Sequence, residues 1–255
     1  MKNHSQIERQ QLIFDEVAMS TQRYETRRFE TFYSDSLLNA VSIAGISTGR
    51  ALDIGTGAKG YAVAGLVSSG FQAIGIDVSW KSLNSARKNN PGVSFCCASA
   101  DALPFSELSF VAVCANAVIE HVLDDERALD EMTRVSTGII YIVVPNNYRY
   151  YTLPMAVMNV INDRKVGHVR HYDNDELQIK LKRRGFYQVI RGYRGHTPMI
   201  FAFLAEILER SVFRSIRYRG LFGVLAAWVE RAEARLSQQP EAINLYTAFR
   251  RSEEE

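Results

Sequence analysis

The stretch ALDIGTGAKGYA, residues 51–62, decides the fold. An apolar run ends at Ile54, glycines stand at 55, 57 and 60, and a helix-forming run follows. Strand, glycine turn and helix in that order open a βαβ unit. Glycine adopts the positive φ such a turn needs and lets the main chain pass close to a ligand. The spacing Gly55-x-Gly57-x-x-Gly60 satisfies the dinucleotide fingerprint, which alone is a weak signal. Asp77 strengthens it. It ends the next apolar run, AIGIDV, 20 residues after Gly57. A carboxylate there can accept hydrogen bonds from both hydroxyls of a ribose. Its other reading is a solvated acid at a strand end.

Outward from this unit, short apolar runs alternate with helical patterns, the grammar of a mostly parallel α/β sheet. Strands are expected at Ala51–Ile54, Ala73–Val78, Val93–Cys97, Phe110–Asn116, Ile139–Val144, Tyr187–Tyr193 and Asn244–Phe249. Helices are expected at Tyr61–Ser69, Trp80–Asn89, Asp124–Val135 and Asn174–Arg184. The last has Asp173 as N-cap, Glu176 three residues on, and Gly185 as a left-handed C-cap. Pro145–Tyr172 is too long for an ordinary βα loop and reads as a lid or substrate loop. His196–Gln239 carries two amphipathic helical patterns, joined by the RYRG turn at Arg217–Gly220. The expected organisation is an N-terminal helical cap over 1–45, a ligand-binding core over 46–195, a two-helix insertion over 196–240, and a last core strand with an acidic tail over 241–255.

Composition narrows the function class. With 47% hydrophobic and 23% charged residues, the chain is neither disordered nor collagenous. Thirty Lys and Arg against 28 Asp and Glu leave a net charge of +2, too even for a dedicated nucleic-acid binder. Cys96, Cys97 and Cys114 form neither a disulfide framework nor a CxxC zinc pattern, and they read as small buried hydrophobes on strands of a reduced, cytoplasmic protein. No window is long and apolar enough to span a bilayer, and the polar opening MKNHSQIERQQ does not read as a signal peptide.

Asp53 separates two owners of the glycine loop. It lies inside the first strand, two residues before Gly55. A dinucleotide site brings a pyrophosphate onto the following helix N-terminus, and a buried carboxylate beside it would be repulsive. S-adenosylmethionine carries a sulfonium and an ammonium group and no phosphate, so an acidic loop attracts it. Asp53 as a purely structural turn-former fits equally well.

At this point the sequence resembles the class I S-adenosylmethionine-dependent methyltransferases, in their small-molecule, ubiquinone- and menaquinone-biosynthesis-like subgroup. ALDIGTGAKG looks like their first motif, with Ala58-Lys59 departing from the small residues common there. SADALPF, residues 99–105, FVAVCANAVIEHVLD, residues 110–124, and GHVRHYDNDELQIKLKRRGF, residues 167–186, match later segments in order. The resemblance implies an α/β, Rossmann-like seven-stranded sheet of order 3-2-1-4-5-7-6. Strand 7 would be antiparallel, helices would cover both faces, and the helical insertion would fall between the last two strands. It implies S-adenosylmethionine as cofactor, with Asp53, Gly55, Gly57 and Asn116 at its binding loops, Asp77 on the ribose, and Asp101 and the Ala102 backbone on the adenine. Asn116 reads equally as a strand-end amide satisfying loop backbone.

Methyl transfer from a sulfonium is an in-line displacement with an activated leaving group. Much of the rate can therefore come from alignment, and a base is needed only where the acceptor must lose a proton. His121, just after the fourth strand, is the candidate base, and a helix-capping or pocket-lining histidine is its plainer reading. His168 and His171 lie three apart. Two histidines without a placed third ligand are weak evidence for a metal, so none is expected.

The acceptor is expected to be a small molecule. Lys180 to Arg235 holds 12 Lys and Arg against 4 Asp and Glu. The amphipathic helices of 196–240 thus read either as a charged outer face over a core stripe or as a cap meeting an apolar or anionic acceptor, with peripheral membrane contact. Tyr24–Tyr33 and Tyr148, Tyr150 and Tyr151 are further pocket-lining candidates. No nucleic-acid partner is expected. The rival readings are an NAD-dependent oxidoreductase and a non-catalytic methyltransferase-like binding protein. Against the first, no Tyr-x-x-x-Lys dyad occurs at Tyr61 or Tyr148, which lead to Gly65 and Thr152.

Overall fold

A computed structural model of the chain describes residues 27–147, 163, 167–194 and 244–252. Seven strands form one sheet: β1 Arg50–Ile54, β2 Gln72–Asp77, β3 Ser94–Cys97, β4 Phe110–Asn116, β5 Ser136–Pro145, β6 Phe186–Arg194 and β7 Asn244–Arg251. Their order is β3-β2-β1-β4-β5-β7-β6. β1 to β5 pair in parallel, whereas β7 runs antiparallel to both β5 and β6. This is the sheet that the resemblance implies.

Among the described residues five helices flank it: α1 Arg27–Ile43, α2 Tyr61–Ser68, α3 Trp80–Asn89, α4 Asp125–Val135 and α5 Asn174–Lys182. The strands are apolar on both faces because both faces are covered. On one side Leu52, Ile54, Val113, Ile140, Ile142 and Val144 pack against Leu129 and Met132 of α4 and Leu177 and Leu181 of α5. On the other, Ala51, Ala112, Ile139, Tyr141 and Val143 meet Leu37, Ala40 and Val41 of α1 and Val63 and Leu66 of α2. α1 lies within the stretch expected as a cap, and it contributes directly to the second of these cores.

Local signals set the boundaries. Ser79 caps α3 by accepting from the Ser82 amide, and Asp124 caps α4 from the Arg127 amide. Asp173 accepts from the Glu176 amide at 2.9 Å, as its spacing predicts, and Gly185 takes φ +78°. β5 starts three residues earlier than hydrophobicity alone indicates, because α4 passes straight into it at Ser136. The expected uniform burial of the cysteines fails at one edge. Cys114 on the central β4 is buried, but Cys97, at the end of the edge strand β3, is exposed.

Several expected features lie outside the described residues: residues 1–26 of the cap, 148–162 and 164–166 of the lid or substrate loop with Tyr148, Tyr150 and Tyr151, the insertion 196–240, and the acidic tail from 253. Of Tyr24–Tyr33, only the backbone from Arg27, within α1, is described. Among the described residues no helix is long and apolar enough to cross a membrane.

Candidate active site

Parallel strands direct their C-terminal ends to one edge of the sheet, and ligands of open α/β sheets bind there. The glycine turn after β1, Asp77 after β2, the loop after β3, and Asn116 to His121 after β4 all gather at that edge.

The first turn is held from several sides. The Thr56 amide donates to the Ile76 carbonyl at 2.9 Å. Asn89 and Asn90, at the end of α3, donate to the carbonyls of Ala58 and Lys59 at 3.1 and 2.7 Å. The pair Ala58-Lys59, where this chain departs from the family motif, is thus fixed through its backbone. Gly55 has φ +69°, and a Cβ there would run into the Val118 side chain. Val118 reaches that position because Ala117, at φ +54°, turns the chain sharply after β4. Gly57, at φ +64°, has open space where a side chain would point.

Asp77 is the centre of the turn. Its carboxylate accepts from the Gly57 amide at 3.0 Å and from the Ser79 amide at 2.8 Å. The second glycine's N–H, which a pyrophosphate site would present to its ligand, is therefore taken by an acid of the chain. Asp53 lies beneath, 2% exposed. It accepts from the Thr56 hydroxyl at 2.6 Å and from the Cys114 thiol at 3.3 Å. Burial, opposed by those hydrogen bonds, raises its pKa from 3.8 to about 6. Asp53 thus supports the loop from below, and at neutral pH it is a mostly ionised charge under the glycines. The two carboxylates make the turn suited to a cationic ligand and unsuited to phosphates, so nothing here supports the NAD reading.

That buried charge has a measurable signature. A raised carboxyl pKa means that the folded state holds the proton more tightly than the unfolded chain. Its favourable contribution is present below about pH 4 and is lost as pH rises through 6. By linkage, Asp53 should withdraw about 3 kcal/mol of stability across that window. Asp53→Asn is expected to abolish this slope, so the variant gains on the parent between pH 4 and 7 in urea titrations. Parallel stability profiles would refute an ionisable Asp53 buried to this degree.

The loop after β3 is held by α4. Arg127 donates to the Asp101 carbonyl at 2.9 Å, and Glu131 accepts from the Leu103 amide at 2.7 Å. The Asp101 carboxylate accepts from the Ser99 hydroxyl at 2.5 Å. Ala102 is exposed, and its N–H donates to the Ser99 carbonyl at 3.2 Å. Asn116 sits half-buried at the end of β4.

After Asn116 the chain runs into a second cluster. His121 is buried, and its Nδ1 faces the Gly167 carbonyl at 3.3 Å. Burial first, then neighbouring His168, lowers its pKa from 6.5 to about 4. Its ring centroid is 4.7 Å from that of His168. His168 Nδ1 lies 2.7 Å from one oxygen of Asp163, and His171 Nε2 lies 2.8 Å from the other. Glu120 is fully buried, and desolvation raises its pKa to about 8.

The segment carrying the two later histidines is anchored to the turn after β4. The Val169 amide donates to the Glu120 carbonyl at 3.0 Å, and Arg170 donates to the Leu123 carbonyl at 2.7 Å. Tyr172 donates to Asp125 at 2.9 Å. The sequence reading singled out His121, His168 and His171 and missed Glu120 and Asp163. Glu120 was legible as the neighbour of His121. Asp163 lies 42 residues beyond His121, with no recognisable ligand spacing.

Comparison with known proteins agrees with this geometry. A family model described as a methyltransferase domain matches residues 52–142, from β1 into β5. A demethylmenaquinone methyltransferase of Renibacterium salmoninarum is 30% identical over 116 residues. That match covers 44% of this chain and 44% of the relative, so the chain spans less than half of that protein's length. Among solved structures, a proposed sarcosine dimethylglycine methyltransferase from Galdieria sulphuraria superposes with a TM-score of 0.63 at 15% identity, covering 91% of this chain and 89% of its own. Magnesium protoporphyrin IX methyltransferase from Synechocystis PCC 6803, with bound S-adenosylhomocysteine, gives 0.56 at 14% identity, covering 86% and 82%. At such identities the superpositions establish the fold.

Proposed function

The chain carries a methyltransferase domain over residues 52–142 on a class I methyltransferase sheet, and from that premise we propose that it transfers a methyl group from S-adenosylmethionine to a small-molecule acceptor. The observation that carries the proposal is the acidic glycine turn, in which Asp77 occupies the Gly57 amide above a buried Asp53. The cofactor would supply a methyl group on a cationic sulfur.

The residues divide the work. Gly57 leaves main chain open to the cofactor, Gly55 lets the turn pass beside Val118 at the cofactor loop, and Asp77 is the acceptor for its ribose hydroxyls. Asp53 sets a negative potential under the loop, which favours a ligand bearing sulfonium and ammonium charges. Asp101 and Ala102 border the adenine end, and Asn116 the methionine end. His121 belongs to the acceptor side. Its lowered pKa keeps the ring neutral at physiological pH and makes it a weaker base than an exposed histidine.

For the acceptor, we favour an apolar or lipid-like molecule of the quinone-precursor kind. The Renibacterium relative, named for demethylmenaquinone, supports this class. So do the aromatic-rich, basic residues of 196–240, read as an insertion that caps the site and meets a membrane surface. The reaction would take place in the cytoplasm.

His121→Ala separates the two halves of the site. The variant is expected to lose most of its turnover, by roughly 10²-fold or more for a group serving the reacting acceptor. It should keep the thermal stabilisation that S-adenosylmethionine gives the parent. Unchanged turnover on the methylated substrate would remove His121 from the acceptor side, whereas lost cofactor stabilisation would move it to the cofactor side.

A further inference from the structure

Glu120 is fully buried, and neither of its carboxylate oxygens has a hydrogen-bond partner. Buried carboxyl groups are rarely left so, because the lost hydration must be replaced by a donor or a cation. Two imidazoles stand beside it. One donor atom each from Glu120, His121 and His168 lie within 4.8 Å of one another, a span that a single bound ion can close with small side-chain adjustments.

The surrounding hydrogen bonds orient both rings. A carbonyl oxygen only accepts, so His121 must present an N–H at Nδ1 to Gly167, which leaves the Nε2 lone pair in the neutral ring. The Asp163 carboxylate does the same for His168 at 2.7 Å. A carboxylate on the far nitrogen of a ligating histidine is a recurrent second layer of metal sites, where it fixes the tautomer and raises the ligand's basicity. The backbone is set as well, because the Val169 amide holds the Glu120 carbonyl and so ties the two ligand-bearing segments together.

The geometry points to a site for one divalent transition-metal ion, held by Glu120, His121 and His168, with Asp163 orienting His168. Two imidazole nitrogens and one carboxylate suit zinc, iron or manganese better than calcium or magnesium, which prefer oxygen cages. Three protein ligands leave a coordination position for water or an oxygen of the acceptor. The site lies at the edge of the sheet assigned to the acceptor, and it sets aside the expectation of no metal. Binding of the ion does not depend on the methyl-transfer reading and is measured without cofactor.

The test uses the full chain, stripped with chelator and exchanged into metal-free buffer. Zinc is titrated in competition with a chromophoric chelator, and cobalt is titrated while its visible ligand-field bands are recorded. One zinc per chain is expected, with intense cobalt bands of low coordination number and a raised thermal midpoint. Glu120→Gln and His168→Ala should each weaken zinc binding by roughly 100-fold or more, and Asp163→Asn should weaken it less, by about 10-fold as for an orienting residue. Circular dichroism identifies any variant that has failed to fold, and the parent titration stands without them. No saturable binding by the parent overturns the site. So does zinc binding that survives both Glu120→Gln and His168→Ala in folded protein, or that is lost with Asp163→Asn while Glu120→Gln leaves it intact.

Discussion

Asp77→Ala is expected to remove the stabilisation that S-adenosylmethionine gives this protein. A ligand at a hundred times its Kd adds about 2.7 kcal/mol to the folded state. For a chain of this size that raises the thermal midpoint by roughly 5–10 °C. Asp77 is the acceptor assigned to the ribose hydroxyls, and it also fixes the Gly57 and Ser79 amides. The substitution therefore acts twice. It deletes the ligand's partner, and it leaves two N–H groups at a barely exposed site without their acceptor, at about 1–3 kcal/mol each. The midpoint of the ligand-free protein should fall, and the increment on adding cofactor should vanish. The increment is the quantity to compare, because the midpoint alone would not distinguish a damaged loop from a lost contact. NAD is the control and should shift neither protein. An undiminished increment in the variant would refute the assignment of Asp77, and an increment with NAD alone would overturn the methyltransferase reading.

The second large effect is on stability. Gly138 lies in β5 where its pairing with β4 is irregular, between Phe110 and Ala112. A Cβ at 138 would collide with the Val111 carbonyl oxygen and approach Ile46 Cδ1 to 2.8 Å. Main chain in the middle of a sheet cannot turn aside as a side-chain tip can. Gly138→Ala is therefore expected to cost about 3 kcal/mol or more, a drop in midpoint of roughly 6–12 °C. Substrate and cofactor affinities measured well below the midpoint should be unchanged, because the distortion lies at the opposite end of the strands from the glycine turn. A loss under about 1 kcal/mol would mean that β4 and β5 can separate locally at modest cost.

The parts of this fold that could be read from the sequence are those set by local rules. β1, its glycine turn and α2 are written within nineteen consecutive residues. Asp173 and Gly185 mark the ends of α5 by chemistry that acts over a single turn. The continuous apolar runs at Ile139–Val144 and Phe110–Ala115 signal strands covered on both faces. The antiparallel placement of β7 between β5 and β6 is different. No local signal carries it, and it came from the family resemblance.

Within the site, Asp77 was legible from a fixed distance to the glycines, since one βαβ step sets that spacing. The arrangement around Glu120 was not. Its members come from three stretches brought together by the docking of residues 167–172 on the turn after β4, and tertiary contact alone gives them meaning. The dual position of Asp53 shows the same limit. Its sequence position placed it near the loop, but only its partners Thr56 and Cys114 show that it works from beneath rather than at the surface.

The place of β7 also has a consequence for how the protein is made. β6 is synthesised some 50 residues before β7, yet among the described residues its only strand neighbour in the sheet is β7. While the chain emerges from the ribosome, β1 to β5 can assemble as a parallel half-sheet, but β5 keeps an open edge and β6 lacks its partner among the described strands. Until Asn244–Arg251 arrives, the nascent protein exposes two unsatisfied strand edges with apolar flanks, the condition in which chains pair with one another. Termination before residue 244 would leave that state permanent, so truncated products should be insoluble or chaperone-bound rather than partly active.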